Sequence, residues 1–171
     1  WEGAITGSNN PEPLTMTGDK TVTCYFSEIT YDISLSTGWN LVSIPLVQAD
    51  TSISTVLSSI SGQYSSVKYY DATDPADPWK TYSPASPTSL NDLTALDHKM
   101  AFWIYADSDC TLSAHGEYPT ITNITLYTGW NFVGYPTQDT SKTVSQALTG
   151  TGYDIVEGYD IDDPFLLGTM A

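Results

Sequence analysis

At 171 residues with 40% apolar side chains, 12 Tyr, 5 Trp and 4 Phe, the chain is long enough for one or two cores and too apolar to stay disordered. Its 20 acidic residues face only 5 basic ones, all of them Lys, for a formal charge of −15. A chain without a single Arg and with this balance is not a phosphate-gripping or nucleic-acid-binding one, and no apolar run approaches the roughly 18 residues of a membrane helix. The acidity reads first as a strongly solvated surface, with divalent-cation capture or adaptation to salt as sharper alternatives. Abundant Ser, Thr, Tyr and Asp with sparse Lys is the surface style of secreted and cell-envelope β-domains.

The amino end, Trp1-Glu2-Gly3, has neither the basic head nor the apolar centre of a signal peptide and no initiator Met. The expectation is a piece of a larger protein. Asn9-Asn10-Pro11 and Gly18-Asp19-Lys20 are turn signals, and Thr15-Met16-Thr17 and residues 21–26 alternate on either side of the second turn, which predicts a β-hairpin. Trp1-x-Gly3, Asn10-Pro11 and Thr15-Met16-x-Gly18-Asp19-Lys20-Thr21-Val22-Thr23-x-x-Phe26 resemble the closing half of the divergent internalin-B-type repeat, also called the bacterial repeat domain. That resemblance covers about 28 residues. It implies a small β-grasp-like module of the kind strung in arrays on bacterial and archaeal surface proteins; Cys24 stands where the family usually has a small residue such as Ala.

Residues 31–119 read as a full β-rich unit. Residues 31–35 alternate as a strand, Thr37-Gly38 turns, and residues 39–44 form a second strand ended by Pro45. Asp50-Thr51-Ser52 offers an N-cap for a short amphipathic helix carrying Ile53, Val56, Leu57 and Ile60, which Gly62 stops. Residues 66–70 make a further strand, an acidic loop leads to Trp79-Lys80-Thr81-Tyr82, and Leu90, Leu93 and Leu96 mark a short helix or turn. Residues 100–106 are apolar on both faces and are expected to be the central strand. Residues 111–114 then close the unit at Gly116.

Gly38-Trp39-Asn40-Leu41-Val42-Ser43-Ile44-Pro45 returns as Gly129-Trp130-Asn131-Phe132-Val133-Gly134-Tyr135-Pro136, Trp39 recurring as Trp130, 91 positions on. Residues 121–126 repeat the first strand, and Val144, Ala147 and Leu148 repeat the helix. Residues 155–160 match 66–71, and Asp162-Asp163-Pro164 repeats the acidic loop. Relative to the first copy the second lacks about 35 residues, the central strand among them. The tandem pattern, with its Trp79-x-x-Tyr82 strand and Leu90-x-x-Leu93 before Phe102-Trp103-Ile104, resembles a β-rich module of large archaeal and bacterial surface proteins over about 140 residues. Such modules sit beside repeat arrays, proteases or glycan-active domains, so the resemblance implies a structural, adhesive or accessory role and carries over no catalytic residue.

The strongest site candidates are the acidic loops. Asp71, Asp74 and Asp77, and again Asp160, Asp162 and Asp163, could supply part of a calcium shell of about six to eight oxygens; the spacing is not that of an EF-hand, and an acidic turn with Asx-type caps is the plainer reading. Trp79 and Tyr82, with Tyr69 and Tyr70 nearby, could stack on a glycan, while strand-pair and core packing is their commoner fate. Leu166 and Leu167 near the place of Trp79 argue against a duplicated sugar site. Cys24 and Cys110 could form a disulfide, and each also lies on the apolar side of a strand, as a buried free thiol would. Asn123-Ile124-Thr125 is a glycosylation sequon whose use depends on Asn123 facing solvent alongside Ile121 and Thr125. His98 and His115 have no companions at ligand spacing, and no Gly-x-Ser-x-Gly elbow occurs.

The expected fold is mainly β with short helices: a β-hairpin remnant over 1–28, a first sandwich-like repeat module over 31–119 and an incomplete second over 120–171. The expected role is a non-catalytic structural or adhesive segment of an archaeal or bacterial surface protein, extracellular or on the cell envelope. It would contact other domains of that protein and self-associate through the unpaired sheet edge. The rival reading is a carbohydrate-binding accessory module of a secreted enzyme.

Overall fold

A computed structural model describes residues 2–3, 13–23, 28–137, 141–159 and 167–169. The chain is mainly β with short helices, as expected. Among the described residues ten strands run in order: β1 Glu2–Gly3, β2 Val22–Thr23, β3 Ile29–Leu35, β4 Gly38–Ser43, β5 Tyr64–Tyr70, β6 Trp79–Tyr82, β7 Ala101–Ala106, β8 Cys110–Gly116, β9 Glu157–Tyr159 and β10 Leu167–Thr169. Helix α1 (Ile53–Val56) is continued by a 3₁₀ turn at Ser58–Ile60, and α2 (Val144–Ala147) is its counterpart in the second copy.

The main sheet has the order β4-β7-β5-β6 with every pairing antiparallel. β7 is therefore central, as its two apolar faces require. β3 and β8 pair along seven residues from Ile29↔Gly116 to Leu35↔Cys110, forming a ribbon beside the main sheet. One core unites them: Leu35, Leu112 and Ala114 from the ribbon meet Val42, Val67, Phe102, Ile104 and Ala106 from the sheet. Ile53, Val56, Leu57 and Ile60 of the helical turn close one side, with Leu93 and Leu96. The helix start is held by Asp50 rather than by its N-cap residue Ser52: the carboxylate accepts from the Ser52 N–H at 2.8 Å and the Thr55 hydroxyl at 2.9 Å. Those bonds hold the Asp50 carboxyl below its usual range.

At the foot of the ribbon, Val47 and Glu117 exchange backbone hydrogen bonds of 2.8 and 3.0 Å. A Cβ on Gly116 would stand 2.3 Å from the Val47 carbonyl oxygen, so this closure demands glycine.

Two expected strands do not form as read. Residues 15–17 are not a strand, and Val22–Thr23 pairs with Glu2–Gly3 instead; two residues cannot anchor a hairpin once a longer-range partner is at hand. Residues 121–126 belong to no strand. In the first copy the matching strand is held by β8.

Candidate functional site

The Gly-Trp-Asn turn is built the same way twice. Asn40 accepts from the Ser36 N–H at 3.0 Å and donates to the Ser36 and Gly38 carbonyls at 2.7 and 3.0 Å. Asn131 repeats all three bonds on Tyr127 and Gly129 at 2.8, 2.7 and 2.9 Å. Gly38 at φ 102° and Gly129 at φ 94° take a conformation that side chains disfavour. The motif is thus a self-satisfied turn. In the first copy it is further tied down, because Asp109 accepts from the Thr37 N–H at 2.7 Å and its hydroxyl at 2.9 Å.

The strand after this turn has two faces. Asn40 and Val42 point into the core, whereas Trp39 and Leu41 point outward beside Trp103, Tyr105, Lys68, Tyr70 and Trp79. This outer face is aromatic. Trp39 meets Tyr105 edge-on at 5.3 Å and Trp103 at 6.4 Å, with the Lys68 ammonium 5.2 Å from the Trp39 ring; Tyr70 meets Trp79 edge-on at 5.3 Å.

The second copy packs on this face. Tyr159 meets Trp103 edge-on at 4.7 Å, and Phe132 lies 6.4 Å from Trp103 and 6.2 Å from Trp79; it also lies 6.4 Å from Tyr69, which packs against the core. Val133 bridges Met100, and the Gly134 N–H donates to the Lys99 carbonyl at 2.8 Å. A Cβ on Gly134 would come within 2.7 Å of the Met100 carbonyl oxygen. Gly134 stands where the first copy has Ser43, and Phe132 where it has Leu41. These two of the motif's three departures, the third being Tyr135 for Ile44, lie in the contact between copies, and comparing the copies position by position is the signal that could have found them.

The acidic loop after β5 is occupied with its own chain. Asp71 accepts from the Thr73 N–H at 2.9 Å and hydroxyl at 2.6 Å, and Asp74 and Asp77 pair with the Lys80 ammonium at 2.8 and 3.4 Å. The Lys80 hydrogen bond lowers the Asp74 pKa and raises that of Lys80. Among the described residues no three His, Cys, Asp or Glu side chains gather as a metal set; a calcium ion here would have to displace Lys80. Asp160, Asp162 and Asp163 lie outside the described residues.

Trp79 and Tyr82 are not brought together. Trp79 is on the outer face, whereas Tyr82 turns to the core side and stacks on Tyr64 at 6.5 Å; three positions along a strand put side chains on opposite faces. Burial, then Tyr82, pushes the Tyr64 hydroxyl upward in pKa. In the second copy Leu167 pairs with Tyr159 as Trp79 pairs with Tyr70, so an aliphatic residue does hold the Trp79 register; Leu166 lies outside the described residues.

Asn123 is exposed with Ile121 and Thr125, while Thr122 and Ile124 are half-buried, so the sequon asparagine faces solvent. Cys110 is a half-buried free thiol whose pKa is raised by burial and then by Asp109; Cys24 lies outside the described residues. His115 shares a hydrogen bond with Thr30 at 3.0 Å on the exposed ribbon. Among the described residues no helix is long and apolar enough to cross a membrane. No family model, curated protein or solved structure matches the chain.

Proposed function

We propose that the chain is a non-catalytic structural segment of an extracellular or cell-envelope protein, in which tandem β-modules stack on one another and space or present neighbouring domains. One observation carries this reading: Phe132 and Tyr159 of the second copy dock on Trp103 of the first, with Gly134 cleared of a side chain at the contact. Repeats that touch their neighbours through a dedicated face are how extended arrays gain stiffness. The acidic, Lys-poor surface suits such exposure.

Gly134→Ala tests the stacking. The added methyl meets a backbone oxygen that cannot turn away, so hydrogen exchange should accelerate across residues 128–159, and small-angle scattering should report a larger radius. Exchange in β5 and β7 should stay as it was. An unchanged exchange pattern and radius would remove the stacking reading.

A second reading rests on the half-exposed indole of Trp79, set edge-on to Tyr70 on the outer face. A glycan-binding accessory module of a secreted enzyme would use that ring as a stacking platform. Its measurement is a glycan titration in which affinity is lost in Trp79→Ala. Calcium at Asp71, Asp74 and Asp77 is compatible with both readings, and its sign is a melting temperature that rises with calcium and falls with chelator, the rise being absent in Asp74→Asn.

A further inference from the structure

We infer that Asn123 is the acceptor of an N-linked glycan, transferred from a lipid-phosphate-linked oligosaccharide during export. The inference rests on the extracellular reading and adds a covalent modification to it.

Asn123-Ile124-Thr125 is the sequence's one Asn-x-Ser/Thr triplet, and its middle residue is not Pro. Such a triplet is usable only where a transferase can reach both the amide and the hydroxyl. Asn123 and Thr125 are exposed, Ile124 between them is half-buried, and residues 121–126 belong to no strand. Among the described residues neither the Asn123 amide nor the Thr125 hydroxyl is held by a hydrogen bond. Both groups are free to enter a transferase site without any local unfolding.

The first copy gives independent evidence on which way these positions face. At the repeat distance of 91, Asn123 corresponds to Asp32 and Thr125 to Ser34. Asp32 and Ser34 are exposed even though β3 is paired with β8 along its full length. Asp32 there accepts a hydrogen bond from the Ser113 hydroxyl at 2.6 Å. The outward direction therefore belongs to the position itself, whether or not a neighbouring strand is paired beside it.

The surroundings suit a sugar. Asn123 lines a cavity of about 500 Å³ together with Val47, Glu117, Tyr118, Pro119 and Ile121. Ile121, two residues before Asn123 and on its face, is 81% exposed. The first sugar would cover this side chain, with the Glu117 carboxylate an acceptor for its hydroxyls. Because the cavity takes residues from both modules, the glycan would stand where they join.

The transfer is a substitution at the anomeric carbon of the donor. The Asn123 Nδ2 forms a C–N bond there, the anomeric C–O bond breaks, and the lipid phosphate leaves with the electron pair. One amide proton passes to a base of the oligosaccharyltransferase, so nothing is oxidised or reduced.

The test expresses the whole chain behind a secretory signal in a host whose transferase acts on this triplet. Intact mass is read before and after an amidase that removes N-linked glycans. The expected result is the mass of one oligosaccharide added to most of the secreted chains and lost on amidase treatment. Asn123→Gln and Thr125→Ala should both be secreted without it, whereas Thr125→Ser, which keeps the hydroxyl, should retain it; matching tryptophan fluorescence checks that all three are folded. Two results would overturn the inference: a folded, secreted wild-type chain with no added mass, or added mass that persists in Asn123→Gln. Because the export signal is supplied, a missing glycan counts against the site and not against the extracellular setting, which is judged from the fraction of its native cells that holds the chain. Gly134→Ala, which undocks the modules, leaves the triplet exposed and should carry the same added mass.

Discussion

The two Gly-Trp-Asn copies share a turn, a helix cap position and a hairpin register, yet they sit in opposite environments. Asn40 and Asn131 make the same three hydrogen bonds, so the turn forms from local chemistry and does not need a core beneath it. The strand that follows does. In the first copy Val42 is buried and paired to Phe102, whereas in the second the equivalent residues 129–134 are held by a single bridge to Met100 and by Phe132 on the aromatic face. Local structure is thus set by the motif and burial by the presence of a central strand. Even the helices follow this division: α2 has a capping box, Thr143 accepting from Gln146 and the Gln146 side chain returning to Thr143, yet buries none of its residues, whereas α1 lacks a side-chain cap and buries Ile53 and Val56.

The sharpest way to break the comparison is to cut into each apolar set in turn. Phe102→Ala empties the centre of the finished core and should cost about 3–5 kcal/mol, enough to unfold the first module or bring it near its limit. Val133→Ala removes a side chain that is already half in water and should cost under about 0.5 kcal/mol. Denaturant melts of the two variants measure both. Similar losses would mean that the second copy has a closed core.

An intermediate effect is expected from the turn asparagines. Asn40→Ala leaves the Ser36 N–H and two carbonyls without their partner in a buried setting, which costs about 1–3 kcal/mol. Asn131→Ala exposes the same groups to water, which replaces the bonds, so the loss should stay under about 1 kcal/mol. The ratio of the two, read from the same melts, reports how much of the motif's worth comes from burial.

Much of this architecture was legible beforehand because it rests on short-range pattern. The apolar run at residues 101–106 announced a strand covered on both faces, and Ile53, Val56, Leu57 and Ile60 at helical spacing announced the turn that roofs the core. Long-range choices were not legible. Nothing local says that Val22–Thr23 would take Glu2–Gly3 in place of residues 15–17, or that Tyr82 would turn inward while Trp79 turned out, although the strand's period of two implied that the pair would separate. The contact between copies was written in two substitutions, Phe132 for Leu41 and Gly134 for Ser43, which carry meaning only once the copies are known to touch. The acidic loop shows the same limit: its carboxylates are plain in the sequence, whereas the pairing of Asp74 and Asp77 with Lys80, from the next strand, is a matter of three dimensions.

The smallest effect concerns protons, and it again separates the copies. Asp109 accepts from both the N–H and the hydroxyl of Thr37, and these bonds lower its pKa below the usual 3.8. A carboxylate whose folded pKa lies below its unfolded value favours folding by an amount fully present above the unfolded pKa. That contribution is lost as pH falls through the folded value. The melting temperature of the first module should therefore be level around neutrality and decline below about pH 4. In Asp109→Asn the decline should be shallower, because one of the carboxylates that drive it is gone; Asp50, lowered by Ser52 and Thr55, keeps part of the slope. Among the described residues the turn of the second copy has no such tether: its side-chain hydrogen bonds are those of Asn131. Hydrogen exchange at residues 127–131 should consequently show the same protection at pH 4 in wild type and Asp109→Asn, once corrected for intrinsic rates, while residues 36–40 lose protection in the variant. A loss at both turns would mean that the copies are coupled through more than their aromatic face.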